Sequence, residues 1–118
     1  MQPSRGEIWT IDLNPTKGRE QMGFRPALVI SVDLFNHGPA ELVVVIPMTS
    51  KEKGIPFHVA IDPSESGLSK RSFVKCEDIR SVSKQRLRKC VANVSEKTLG
   101  AVEERLKILL GFLSAPRL

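Results

Sequence analysis

Leu42-Val43-Val44-Val45-Ile46 is an unbroken apolar run, and it reads as a central strand buried on both faces. On its N-terminal side, Pro26-Ala27-Leu28-Val29-Ile30-Ser31 reads as a second strand, with proline at the first position, where a missing N–H is tolerated. Further back, Glu7 to Leu13 places Trp9, Ile11 and Leu13 on one face at period 2, a third strand. Asn14-Pro15-Thr16 stops that strand and opens a long polar loop over residues 14–24. On the C-terminal side, Pro47 is expected to end the pairing of the apolar run. Phe57 to Ile61, Ser72 to Cys76 and Ile79 to Val82 then read as short strands between Gly/Pro/Ser turns. Beyond them the period changes. Ser95 is an N-cap candidate, and Leu99, Val102, Leu106, Leu109 and Leu113 form the apolar stripe of a helix. Many short strands closed by one amphipathic helix predict a mostly β chain with α: a small β-barrel with the helix packed against it.

A chain of 118 residues is a single domain spanning 1–118, because two halves would each be too small to bury a core. At 41% hydrophobic and 26% charged it has a globular composition. The longest apolar run, Leu42 to Met48, is too short to cross a bilayer. Met1 to Gly6 runs straight into strand-like sequence with no signal-peptide pattern, and Cys76 and Cys90 make no disulfide framework. A cytoplasmic protein without membrane contact is expected. The formal net charge is +5, and residues 69–90 carry eight Lys/Arg against two carboxylates. That run is either a solubilising surface or the footprint of a polyanion, and composition alone does not choose.

The chemistry-bearing residues narrow the classes. His37 and His58 have no ligand-spaced partner and read as surface or loop residues, and no CxxC is present. No metal site or cofactor is expected. Gly18-x4-Gly23 is followed by Phe24-Arg25 where a phosphate loop needs Lys and Ser/Thr, and Pro26 then starts a strand. What remains is a polar cluster in the first loop, Lys17, Arg19, Glu20, Gln21 and Arg25, and a second at Thr49-Ser50-Lys51. Both lie at strand ends, where a barrel can hold loop residues over one groove, or where they serve only as hairpin loops.

At these residues the chain resembles the MazF/PemK/Kid toxin endoribonucleases. The likeness runs through Arg5-Gly6-Glu7-Ile8-Trp9, then Asn14-Pro15-Thr16-Lys17-Gly18-x-Glu20-Gln21-x-Gly23-x-Arg25-Pro26 into Ser31. It continues in Val45-Ile46-Pro47-Met48-Thr49-Ser50, Pro56-Phe57-His58-Val59 and Val74 to Val82, and ends in the amphipathic helix. The resemblance implies an SH3-like β-barrel with a C-terminal helix, forming a homodimer. It implies the toxin of a type II toxin–antitoxin pair, held inactive by an acidic antitoxin. It also implies cleavage of single-stranded RNA without a metal, leaving a 2′,3′-cyclic phosphate and a 5′-hydroxyl.

Under that resemblance Arg25 stabilises the phosphorane, Thr49 hydrogen-bonds the scissile phosphate, and Glu20 is the candidate general base. Lys17, Arg19, Gln21, Ser50, Lys51, Lys75, Glu77, Asp78 and Arg80 are the expected RNA-binding residues, with Lys53 a further cation. Phe24 and Phe57 are possible stacking platforms, although Phe57 and Phe73 as strand residues also fit the core. The chain departs from relatives in having Arg19 where some carry histidine. Lys75 and Glu77 replace an Arg-x-Asp pair, and Asp78 stands where glutamine is common. The alternatives are a toxin of the same barrel that binds and inhibits DNA gyrase, and a catalytically silent RNA-binding barrel.

Overall fold

The computed structural model describes residues 2–13 and 24–114; Lys17, Arg19, Glu20 and Gln21 lie outside the described residues. The strands are β1 (Glu7–Asp12), β2 (Phe24–Val29), β3 (Leu42–Thr49), β4 (His58–Ile61), β5 (Ser72–Lys75), β6 (Arg80–Ser83) and β7 (Leu87–Asn93). They form one antiparallel sheet in the order β4-β5-β3-β2-β1-β7, with β6 paired to β3. Two single helical turns, α1 (Asp33–Asn36) and α2 (Pro63–Ser66), interrupt it, and α3 (Glu96–Leu109) ends it.

Strand alternation divides the core into two clusters. Trp9, Ile11, Ala27, Val29, Val43, Val45, Val82 and Leu87 form one, with Leu13 against it. They come from β1, β2, β3, β6 and β7, and a 3₁₀ turn at Lys84–Arg86 joins β6 directly to β7. These five strands therefore curl around a shared interior, which is the expected small barrel, although among the described residues no ladder joins β6 to β7. The opposite pleat supplies Ile8, Leu28, Ile46 and Met48 to a second cluster with Val59, Ile61, Val74, Val102 and Leu106. Here β4, β5 and α3 cover the outer face of the barrel. The run from Leu42 thus feeds both clusters, as its unbroken apolar sequence requires. At the junction Gly6 has φ +94°, a conformation that strains any side chain, and a Cβ there would press at 3.3 Å on Asn93 Oδ1 and Leu99 Cδ1 between β7 and α3.

Several boundaries differ from expectation. β2 starts at Phe24, so Pro26 is its third residue, and Pro26 is tolerated opposite Thr10 at that end of the strand. Pro47 does not end β3; it sits opposite Ala27, and the strand continues to Met48 and Thr49, which pair with β5. Leu87–Asn93 forms a strand that the sequence pattern conceals, because its inward Leu87 is followed by exposed Arg88, Lys89 and Cys90. The charges at 84–89 are accordingly part of the fold. Lys84 Nζ donates to the Asn36 carbonyl at 2.7 Å, and an Arg86 guanidinium nitrogen donates to the Asp12 carbonyl at 2.9 Å. Arg88 lies 3.7 Å from the Asp12 carboxylate and 5.4 Å over the Phe24 ring. In α3, Ser95 caps as expected, its hydroxyl accepting from the Thr98 N–H at 3.2 Å. The helix ends at Leu109, and Leu113 lies beyond it, 48% exposed. Among the described residues no helix is long and apolar enough to cross a membrane.

Candidate active site

Register places the expected residues. Arg25 lies opposite Ile11 in β2, on the same pleat as Ala27 and the barrel interior, but near the strand's start, where it is exposed. Thr49 ends β3 on the pleat of Pro47, directly opposite Phe73 of β5. Ala27 and Pro47 are partners across β2 and β3, and Arg25 and Thr49 each lie two residues beyond them on one face. The two side chains open onto a shared depression of about 310 Å³, lined also by Pro26, Met48, Ser50, Leu68, Ser69, Lys70 and Ser72. Thr49 Oγ1 accepts from the Lys51 N–H at 3.2 Å, the local turn bond anticipated for this loop. That bond uses a lone pair, so the hydroxyl proton is left to donate.

Lys70 opens the stretch Lys70 to Arg80 that the toxin resemblance puts beside the RNA groove; the α2–β5 segment carries it to the same depression as Arg25 and Thr49. Its spacing from Arg25 and Thr49 held no signal, since three separate elements converge there. Lys51 and Lys53 are exposed in the loop after β3, outside the lining.

The same face continues away from the depression. In β5, Phe73 and Lys75 alternate with Ser72 and Val74, and Arg80 of β6 lies opposite Val45. Lys75 Nζ is 3.5 Å from one Asp78 oxygen, and an Arg80 guanidinium nitrogen is 2.8 Å from the other. Asp78 therefore holds two cations beside the depression. These contacts are partly exposed and add little stability; their consequence is to fix where the charges point. Arg71 caps the Phe73 ring at 5.4 Å and pairs with Asp62 at 3.3 Å.

Phe24 and His58 depart from expectation. Phe24 is on the opposite pleat from Arg25, under Arg88, so it is not on the face of the depression. Phe57 packs against the second core cluster, as the core reading of that residue expects. His58 is not a surface residue: its side chain is 4% exposed, and Nε2 lies 2.7 Å from Glu77 Oε2. Glu77 is thereby committed to an intramolecular partner. Beside it, burial pushes the Cys76 thiol up to about 11, with Glu77 adding to the shift. A thiol so protonated is no nucleophile near neutrality. Among the described residues no group of three or more His, Cys, Asp or Glu is arranged to hold a metal ion.

Comparison with known proteins places this arrangement. A family model described as PemK-like, MazF-like toxin of type II toxin–antitoxin system matches residues 4–110. Endoribonuclease EndoA of Bacillus subtilis is 34% identical over 110 residues, covering 92% of this chain and 95% of its own. Endoribonuclease MazF9 of Mycobacterium tuberculosis is 36% identical over 115 residues, covering 93% and 98%. A crystal structure of a MazE–MazF complex from Deinococcus radiodurans superposes with a TM-score of 0.81 at 30% identity, covering 94% of this chain and 98% of that one.

Proposed function

Because the chain belongs to the PemK/MazF-like toxin family of type II toxin–antitoxin systems, we propose that it is a toxin endoribonuclease that cuts single-stranded RNA at short sequences. The observation that carries this reading is the convergence of Arg25 from β2 and Thr49 from β3 on one open depression with Lys70 at its rim. A phosphodiester placed there meets a guanidinium fork, a hydroxyl donor and an ammonium, a set suited to the charge of a phosphorane.

RNA brings its own nucleophile, so the reaction needs no metal-activated water. The 2′-oxygen attacks the adjacent phosphorus as Glu20, in the first loop, takes its proton. Arg25 donates to the phosphoryl oxygens and Thr49 to the scissile phosphate. The bond from phosphorus to the 5′-oxygen breaks with its electron pair going to that oxygen, which takes a proton from solvent water. The products are a 2′,3′-cyclic phosphate and a 5′-hydroxyl. Ser50 and Lys51 flank this centre, Lys75, Asp78 and Arg80 continue the groove, and Lys17, Arg19 and Gln21, outside the described residues, are assigned to RNA by the family likeness. In this reading Asp78 uses the lone pairs left beside Lys75 and Arg80 to accept from the exocyclic amino group of cytosine or adenine.

The partner is a cognate antitoxin, as the solved complex of a mycobacterial endoribonuclease with its cognate antitoxin supports; in this reading it is an acidic chain that lies along the same basic face. The toxin acts as a homodimer in the cytoplasm, a setting that two free cysteines fit.

Purified protein incubated with a long single-stranded RNA in EDTA should give discrete cuts with cyclic-phosphate ends. A substrate with a single 2′-deoxy sugar at the cut nucleotide should resist. Cleavage of the deoxy substrate would overturn the 2′-OH mechanism. Intact RNA beside inhibited gyrase would identify the gyrase-binding alternative, and intact but bound RNA the silent barrel. Within this mechanism Lys70→Ala should lower kcat by about tenfold, the worth of roughly 1.4 kcal/mol of charge stabilisation. Lys70→Arg should restore most of it, and a Lys70→Ala kcat equal to the parent's would remove Lys70 from the site.

A further inference from the structure

His58 stands out on physical grounds. Among the described residues its Nδ1 is the single buried side-chain nitrogen or oxygen without a hydrogen-bond partner. Its other nitrogen, Nε2, meets Glu77 Oε2 at 2.7 Å. With the proton on Nε2 the ring donates to the carboxylate, and the unpaired atom is the Nδ1 lone pair. An apolar side chain of similar volume would fill this place without an orphaned polar atom. The imidazole is therefore a poor choice for stability alone, and its one polar contact is the contact with Glu77.

Glu77 is the middle residue of the 3₁₀ turn Cys76–Asp78. The backbone bonds that tie this turn are long, Cys76 N–H to the Phe57 carbonyl and Ile79 N–H to the Cys76 carbonyl, each 3.3 Å. The turn in turn places Asp78, which holds Lys75 at 3.5 Å and Arg80 at 2.8 Å. His58 is also the cross-strand partner of Lys75, so its backbone and side chain adjoin the same cluster on one face of the sheet.

From this chain of contacts we infer that His58 is a positioning residue: through Glu77 it fixes the Cys76–Asp78 turn and so sets the affinity and sequence preference of the far half of the RNA groove. The inference rests on the endoribonuclease reading. Arg25 and Thr49 are on other strands and keep their geometry when the strut is cut, so the chemical step is spared.

The test uses the full chain and a short RNA containing the mapped cut site. His58→Phe should raise KM by about tenfold with kcat within about twofold, and should widen the set of cut sequences. His58→Gln, whose amide can still donate to Glu77, should keep the original cut pattern. Glu77→Ala, an exposed change that leaves the core intact, should reproduce the His58→Phe effect even if that variant does not fold. The double variant should be no worse than either single one. A fall in kcat with unchanged KM and cut pattern would overturn the inference, as would additive effects of the two substitutions. Absence of cleavage by the unsubstituted protein in the same assay would overturn the endoribonuclease reading itself, a separately recognisable result.

Discussion

Arg25→Ala lowers kcat for RNA cleavage by about a hundredfold or more while the melting temperature stays within a few degrees. The size follows from the chemistry: losing one preorganised donor to a developing oxyanion costs roughly 3 kcal/mol of barrier. The selectivity for kcat follows from when the charge appears. The ground-state diester carries one negative charge, and the phosphorane carries more, so the guanidinium gains most at the transition state. Stability is spared because Arg25 is exposed near the start of β2 and pairs through backbone alone with Ile11. Arg25→Lys should recover only part of the rate, since an ammonium keeps the charge and loses the two-pronged fork. Thr49→Ala added to Arg25→Ala should cost much less than the product of the single effects, because both donors serve one phosphate. Single-turnover kinetics with excess enzyme reads all of these, and a kcat for Arg25→Ala within threefold of the parent would remove Arg25 from the chemistry.

Which parts of this site could be read from the residues alone follows from how local each signal is. Trp9 and Ile11 alternate within one strand, and Ser95 with Leu99 and Val102 announce a capped amphipathic helix; both elements stand where the pattern puts them. The run from Leu42 was legible as buried on both faces, but its end was not. Proline marks a boundary only where an N–H is needed, and at Pro47 the strand was changing partner from β2 to β5 instead. β7 escaped notice because an edge strand buries little, and its charges made the segment look like surface. A family likeness pairs Arg25 with Thr49 and puts Lys70 to Arg80 beside the groove, but neither the approach of Lys70 to that pair nor the contact of His58 with Glu77 is written in the sequence. Those two matter through neighbours brought by other strands, Lys70 at the depression and His58 beneath Glu77. Sequence separation hides contacts of that kind.

The largest stability effect should come from a residue remote from the chemistry. Asn36→Leu should destabilise the fold by about 3 kcal/mol, lowering the melting temperature by roughly 10 °C. Asn36 is 0% exposed, and its side chain stitches the end of β2 to β3. Its amide nitrogen donates to the Ser31 carbonyl at 2.8 Å, and its carbonyl oxygen accepts from the Ser31 hydroxyl. That hydroxyl oxygen accepts in turn from the Val44 N–H at 2.9 Å. Leucine has the same branching and more bulk, so no cavity forms; the cost is a Ser31 carbonyl without its Asn36 donor and a Ser31 hydroxyl without its Asn36 acceptor, added to the strain of the extra volume. Lys84→Met should cost much less, because it removes a bond to the Asn36 backbone carbonyl at the edge of the network and leaves the side-chain stitch whole. Ser31 lies six residues along the chain from Arg25, and Val44 five from Thr49, about 17 Å of strand. The folded fraction of Asn36→Leu, assayed well below its melting point, should therefore cleave RNA with an unchanged kcat. A variant that melts with the parent would show that the Ser31–Asn36 pair is replaced by water, and one that keeps its stability but loses kcat would tie α1 to the active site.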